Sequence, residues 1–132
     1  VGEFKAAGKI IRAKCSHLGK EFLAHGSRVN GTAKPTSDID FAIRVSPKQF
    51  NKIIKDRFGT PNRGSAKWKT MQHAIKTGKI QAGEAGIRSV RRDLMTAINK
   101  GRGANEPVIK VDISVIRRGG KFDKGPYMKV PK

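Results

Sequence analysis

The stretch Asp38-Ile-Asp-Phe-Ala-Ile-Arg-Val45 runs directly into Ser46-Pro47, and this junction decides the fold of the chain. The β-branched and aromatic residues of the stretch favour a strand. Ser46 is a typical helix N-cap, and Pro47 suits the first position of a helix. The sequence therefore predicts a strand that is followed at once by a helix.

Outward from this junction, apolar residues recur at spacings of three and four in four segments, which is typical of amphipathic helices. Glycines at 19, 59 and 78 are placed to end the first three helices, and Gly101 begins a turn after the fourth. The four apolar stripes are Phe4, Ala7, Ile11, Cys15 and Leu18; Phe50, Ile53, Ile54 and Phe58; Trp68, Met71 and Ile75; and Ile87, Val90, Leu94 and Ile98.

Three strands are predicted, at Glu21–His25, Asp38–Val45 and Val108–Ile116. The stretch Gly26–Ser37 is expected to be a loop, and Gly78–Gly86 is interpreted as a glycine-spaced connection. The residues from 119 onward are expected to form a loop or an extension of the sheet edge. This order of elements predicts an α+β fold, with a small mixed β-sheet and helices packed on it.

Composition restricts the class of protein. The 132 residues are 36% hydrophobic with 15 glycines, an ordinary apolar fraction that excludes a disordered basic tail and suits one domain over 1–132. Cys15 is the only cysteine, so an internal disulfide is excluded. No run is long enough for a membrane span, and no secretory signal is visible. Because residue 1 is Val, we expect the domain to be a fragment of a longer chain.

The charge is the most unusual property of the composition. The chain has 29 Lys and Arg against 10 Asp and Glu, a formal net charge of +19 at pH 7. The excess is spread over the chain, at +5 for residues 1–37, +2 for 38–58, +7 for 59–107 and +5 for 108–132. A surface of this sign attracts polyanions, of which nucleic acid is the commonest. A patch for an acidic protein partner and a solvated surface that only keeps the protein soluble are the alternatives.

Three of the ten acidic residues form a candidate metal site. Asp38 and Asp40 are two residues apart on the predicted strand, so their carboxylates leave one face while Ile39 faces the core. Parallel carboxylates suit Mg²⁺, which prefers oxygen ligands and is commonly completed by substrate phosphates. Asp112 lies in a second strand, on the face away from the core, and would complete the cluster if the two strands are neighbours.

Gly26 and Ser27 follow the first strand and open the long loop. A glycine here allows the backbone to approach a phosphate, and the serine adds a hydroxyl and an N–H. A phosphate-binding turn, a metal pair and a third acid are the parts of phosphoryl or nucleotidyl transfer. Each of them alone is also explained as an ordinary turn or surface residue.

Jointly these motifs have a known counterpart. The stretch His25-Gly-Ser-Arg-Val-Asn-Gly31, followed by Ser37-Asp-Ile-Asp40, resembles the signature of the nucleotidyltransferase superfamily that includes DNA polymerase beta, and especially its minimal members. Lys110-Val-Asp-Ile-Ser114 resembles the strand of the family's third acid. The motifs cover residues 22–45 and 108–116.

The resemblance implies a function for each motif residue. Asp38 and Asp40 would bind two Mg²⁺ ions, and Asp112 would bind one of them and help to activate the attacking hydroxyl. Gly26 and Ser27 would hold the triphosphate of a nucleoside triphosphate (NTP).

Other basic residues are further candidates. Arg28 and Lys34 lie in the loop and could contact the triphosphate, although solvated loop charges are an equal alternative. A track for the RNA backbone is also predicted, with a plain solvated surface as its alternative. Its residues are Lys67, Lys69, Arg88, Arg91 and Arg92.

The function expected from these observations is Mg²⁺-dependent transfer of a nucleoside monophosphate from an NTP to a nucleic acid, with a tRNA end favoured. Family members that modify aminoglycosides bind a polycation, which a +19 protein would repel. Nucleotidylation of a protein is the first alternative, and a non-catalytic nucleic-acid-binding module is the second.

A further resemblance concerns the biological setting. Gly78–Gly86 and the Gly-Gly-x-Phe-Asp run at 119–123 are similar to nucleotidyltransferase domains at the C-termini of bacterial polymorphic toxins, of the contact-dependent inhibition or Rhs type. This implies an antibacterial toxin from a secreted or cell-surface parent, acting in the cytoplasm of a target cell. It also implies an acidic immunity protein as a partner.

Overall fold

A computed structural model describes residues 2–25, 38–106, 108–125 and 127–130. Within these residues, no helix is long and apolar enough to cross a membrane. The elements, in chain order, are α1 (Gly2–Cys15), β1 (Glu21–His25), β2 (Ile39–Val45), α2 (Pro47–Phe58), α3 (Ala66–Thr77), β3 (Lys79–Gln81), α4 (Arg88–Ile98), β4 (Val111–Arg117) and β5 (Met128–Lys129).

The strands form one mixed sheet in the order β3-β4-β2-β1-β5. β2 and β4 are parallel, and the other three pairs are antiparallel. The predicted α+β class, with a small mixed sheet and packed helices, is confirmed.

One face of the sheet packs against the helices. Alternate residues of the strands point to that side because successive side chains of a strand leave opposite faces. The strand residues in this core are Phe22, Ala24, Ile39, Phe41, Ile43, Val45, Ile80, Val111, Ile113 and Val115. The helices contribute Ala7, Ile11, Cys15, Phe50, Ile53, Ile54, Phe58, Val90, Leu94 and Ile98, so three of the predicted stripes are core stripes.

The opposite face of the sheet carries no helix among the described residues. Leu23, Ala42 and Ile116 are buried on it and lie outside the main core cluster. Residues 119–125 cover one end of this face, where Asp123 contacts Arg44 of β2. The other end of the face, at the start of β2 and β4, holds Asp40 and Asp112.

The strand-to-helix junction has the expected capping. Ser46 Oγ accepts the N–H of Gln49 at 3.1 Å, and Pro47 is the first residue of α2. Asp40 therefore lies near the start of a strand whose end is fixed by a capped helix.

Two predicted helices differ in detail. α1 ends at Cys15, and Leu18, the last residue of its stripe, is buried after a turn in which its N–H bonds to Cys15 O at 3.0 Å. In α3 the prediction that Ile75 faces the core is wrong, because the helix buries Ala74 and Thr77 and leaves Ile75 exposed. Ala74 belongs to the core, and Met71 of the predicted stripe is partly buried against it.

Two strand boundaries also differ. The interpretation of Gly78–Gly86 as only a connection is wrong, since it contains β3, a three-residue strand too short to show a period. β4 begins at Val111 instead of Val108. The Asn99 side chain bonds both the N–H and the C=O of Ile109, at 2.7 and 2.9 Å, and so occupies the groups that would extend the ladder.

Candidate active site

Asp40 and Asp112 lie side by side on neighbouring strands. They are register partners in the parallel pair β2–β4, where adjacent strands are about 4.8 Å apart. Both residues are half-buried, and both lie on the sheet face opposite the helical core. The structure thus brings together two of the three carboxylates that the sequence placed in one cluster.

Asp38 directly precedes β2 and is exposed. The ladder reaches as far as the next residue, where the N–H of Ile39 bonds to Lys110 O at 3.0 Å. Strand alternation assigns Asp38 to the same side as Asp40. The third acid, Asp38, is thus two residues before Asp40 in the chain.

The carboxylate of Asp112 has a local hydrogen bond and no ion pair. Its Oδ1 accepts the N–H of Ile113 at 2.8 Å. In the described parts of the chain no Lys, Arg or His forms a salt bridge with it. Among the described residues no protein cation pairs with this half-buried charge beside Asp40, so it can pair with a ligand cation.

An open cavity of about 340 Å³ adjoins Asp112. Its lining joins three parts of the chain: β4, the turn after β3, and the first turns of α4. The lining residues are Gln81, Ala82, Gly83, Arg88, Arg91 and Asp112. The cavity therefore joins one predicted catalytic acid to two predicted nucleic-acid-binding arginines.

The turn between β3 and α4 is fixed by hydrogen bonds. Within it, Ala85 N–H bonds to Gln81 O and Ile87 N–H to Ala82 O, both at 2.9 Å. Arg57 of α2 donates from Nε to Glu84 O at 2.9 Å. Because the turn is held at both ends and from α2, α4 begins at a defined place beside Asp112.

Arg88 and Arg91 are exposed in the first turns of α4. The Arg88 guanidinium lies over Gly83, where an added Cβ would be 2.8 Å from its Nη2. Neither arginine forms an ion pair within the described residues. Two guanidinium groups thus line the same cavity as Asp112, and neither is in an ion pair with a described residue.

The other members of the predicted basic track lie elsewhere. Arg92 is exposed on α4, and Lys67 and Lys69 are exposed on α3. None of the three lines the described cavity. The five predicted residues therefore do not all line this cavity.

The predicted phosphate loop falls outside the described residues. This applies to Gly26, Ser27, Arg28 and Lys34. The ends of the loop are described: β1 ends at His25, the register partner of Asp40, and the description resumes at Asp38. The chain thus leaves the sheet at the end of β1, next to Asp40, and rejoins it at the start of β2.

Asp40 and Asp112 carry the oxygen ligands that a divalent cation shared with a substrate would need. Carboxylate oxygens are the ligands that Mg²⁺ prefers, and it usually keeps positions for phosphate and water. No group of three or more His, Cys, Asp or Glu that could hold a metal ion occurs in the ranges listed for the fold. Asp40 and Asp112 supply two carboxylates, and the remaining ligands would come from Asp38, a substrate and water.

A second carboxylate site lies at the far end of the same sheet face. Asp123 Oδ2 accepts from Arg44 Nε at 3.1 Å, from Arg44 Nη2 at 2.9 Å and from Gly119 N–H at 2.8 Å. Tyr127 Oη donates to its Oδ1. Burial by itself would raise the pKa of Asp123, but the hydrogen bonds from Tyr127, Gly119 and Arg44 together lower it below the usual value. Sequence reasoning missed this pairing of Arg44 with Asp123, since 79 positions separate them.

The family model for the nucleotidyltransferase domain matches residues 8–118, which is 111 of the 132 residues (118 − 8 + 1). The chain therefore belongs to the nucleotidyltransferase domain family. It is a transferase that moves nucleoside monophosphates, and its mixed sheet with four helices is consistent with a fold of this kind. No curated protein and no solved structure matches the chain.

Proposed function

We propose that this nucleotidyltransferase transfers a nucleoside monophosphate from an NTP to a nucleic acid, with Mg²⁺ as cofactor and a tRNA end as the favoured acceptor. The proposal rests chiefly on the register pairing of Asp40 with Asp112 beside a cavity that two arginines line. Carboxylates beside cationic groups suit a reaction in which a metal and a polyanion meet.

In the proposed reaction, the acceptor hydroxyl oxygen attacks the α-phosphorus of the NTP. A new phosphorus–oxygen bond forms, the bond from the α-phosphorus to the bridging oxygen breaks, and pyrophosphate leaves. Asp112 accepts the hydroxyl proton and passes it to solvent. Asp38 and Asp40 would hold the divalent cations, with Asp112 as a further ligand of one, and the bound metal would supply neutralisation of phosphate charge.

The triphosphate is assigned to the loop that follows β1. Gly26 and Ser27 would bind it through backbone N–H groups and the hydroxyl, and Arg28 and Lys34 would add charge. These assignments rest on the sequence resemblance. The position of His25 beside Asp40 supports them, because the loop starts there.

Charge favours a polyanionic acceptor. The chain has a net charge of +19, and Arg88 and Arg91 add two cations next to Asp112. Both the net charge and the two arginines favour binding of a nucleic acid strand, because its backbone carries one negative charge per phosphate. A protein acceptor is the alternative, and it would have to be acidic at the target site.

The toxin role is a separate part of the proposal and rests on the resemblance of residues 78–86 and 119–123. In this role a secreted or cell-surface parent delivers the domain to the cytoplasm of a target cell, and an acidic immunity protein protects the producer. An acidic open reading frame directly downstream, whose product co-purifies with the domain, is the expected finding. Purification without any such protein from the native producer would contradict it.

The function is tested by incubating the protein with each labelled NTP, Mg²⁺ and total RNA, followed by separation of RNA and protein products. We expect label from one NTP on the tRNA band and none in the presence of a chelator. The double variant Asp38→Asn/Asp40→Asn is expected to lose about 10³-fold or more, because the cation site is removed. Asp56→Asn is the matched control, since it changes an exposed acid on α2.

The outcomes separate the alternatives. Label on protein instead of RNA would move the acceptor class to proteins. RNA binding without any incorporation would favour the non-catalytic module, and full activity in the double variant would remove Asp38 and Asp40 from the mechanism.

A further inference from the structure

We propose that Arg88 and Arg91 bind the phosphate group that immediately precedes the acceptor hydroxyl of a nucleic acid strand. The proposal rests on the proposed function, and it names a substrate position within that function. The proposal assigns Arg88 and Arg91 to one phosphate of the acceptor and the other residues of the predicted basic track to the rest of the backbone.

The arginines are available to an external anion. They are exposed, line the cavity together with Asp112 and form no ion pair with any described residue. Spaced three apart on one helix, they repel each other. The first turn of α4 holds no acidic residue, so these cations also face the positive end of the helix dipole. A phosphate between them would relieve both repulsions.

The sheet order separates two sides of the site. In the sequence β3-β4-β2-β1, the described start of the phosphate loop is on the β1 side of Asp40, and the arginine cavity is on the β3 side of Asp112. The attacking and leaving oxygens lie in line on opposite sides of the α-phosphorus. If the triphosphate occupies the β1 side, the acceptor approaches from the β3 side.

The acid that serves the acceptor lies on the same side as the arginines. Asp112 lines the cavity, whereas Asp38 and Asp40 do not. A hydroxyl beside Asp112 and the phosphate of the preceding nucleotide linkage are only a few bonds apart. The guanidinium groups are suited to this phosphate because they bind oxyanions with paired N–H donors.

Arg92 supplies an internal comparison. It is one residue from Arg91 on α4 and equally exposed, but it does not line the cavity. We assign Arg92, with Lys67 and Lys69, to the more distant backbone of the strand. Their contribution is then independent of the chemistry at the terminal linkage.

The test uses two fluorescent oligoribonucleotides with the same sequence, one with an ordinary terminal phosphodiester and one with a neutral methylphosphonate at that linkage. Binding is measured by anisotropy, and transfer is measured with the labelled NTP. We expect the wild type to prefer the phosphodiester about tenfold or more in both measurements. The double variant Arg88→Gln/Arg91→Gln should bind both oligonucleotides with equal affinity and extend both at equal rates. Its KM for the NTP should be unchanged.

Two single variants are the comparisons. Arg92→Gln is expected to weaken binding of both oligonucleotides equally and to keep the preference. Arg63→Gln, which changes an exposed arginine in the connection between α2 and α3, should match the wild type. Thermal melts of all variants check that these surface changes leave the fold intact.

A raised KM for the NTP in the double variant, with the linkage preference retained, would assign the arginines to the triphosphate and overturn the proposal. A wild type that binds both oligonucleotides equally would also overturn it. Absence of transfer with a linkage preference in binding would contradict the proposed reaction but support the phosphate site, so the two failures are distinguishable.

Discussion

Asp112 and Asp123 are two aspartates at opposite ends of one sheet face, and their surroundings differ completely. Asp112 is half-buried, lines an open cavity and has no ion pair in the described parts of the chain. The Asp123 side chain is 4% exposed and accepts hydrogen bonds from Arg44, Gly119 and Tyr127. A carboxylate with its partners supplied by the protein stabilises the fold, whereas one without them is available for a ligand.

The largest effect is expected from Asp112→Asn. Transfer should fall on the order of 10³-fold, because the amide cannot accept the hydroxyl proton or provide a charged metal ligand. The melting temperature should stay equal or rise slightly, since the change removes a like charge beside Asp40 and Asn can still accept from Ile113 N–H. Activity assays and thermal melts check both parts. Unchanged activity would remove Asp112 from the mechanism.

The converse effect is expected from Asp123→Ala. Removing Asp123 from this part-buried pair takes away the shorter ion pair of Arg44 and leaves Glu21, at 3.5 Å from Nη1, as its remaining anion. The free energy of unfolding should therefore fall by about 2 kcal/mol. Urea denaturation measures this. At a temperature where the variant is folded, its transfer rate should remain within about twofold of wild type, because distant sites act independently.

Asp93→Ala is the matched control for that change. Asp93 is also paired with a cation, Lys14, but both side chains are substantially exposed, at 41% and 51%. The expected loss is below about 1 kcal/mol. Equal losses for Asp93→Ala and Asp123→Ala would show that burial of the Arg44 pair adds nothing.

The smallest expected effect concerns pH. The pKa of Asp123 is lowered in the folded protein, so its stabilising contribution is complete above the usual aspartate pKa of about 4 and is lost as pH falls through the lowered value. The difference in unfolding free energy between wild type and Asp123→Asn should therefore be constant near neutral pH and narrow on acidification. Urea midpoints over a pH series measure it, and a difference that widens in acid would contradict the network.

Much of the site could be predicted locally. The strand with Asp38 and Asp40, its capped helix and the face of Asp112 follow from alternation and capping, which depend on neighbouring residues. Asp40 and Asp112 lie side by side only because β2 and β4 are neighbouring strands, and the spacing of residues in the sequence does not determine which strands are neighbours. Strand β3 has only three residues, too few to show the alternation of a strand in the sequence, although its last residue, Gln81, lines the cavity.

The sequence by itself determined the α+β class, the helical stripes and the acids of the candidate site, because periodicity, caps and turn residues act over a few positions. Only the tertiary structure decided that β4 pairs with β2, that Arg88 and Arg91 share a cavity with Asp112, and that Arg44 pairs with Asp123. These contacts join residues far apart in the chain. They depend on strand order and register, which are set by packing of the whole domain.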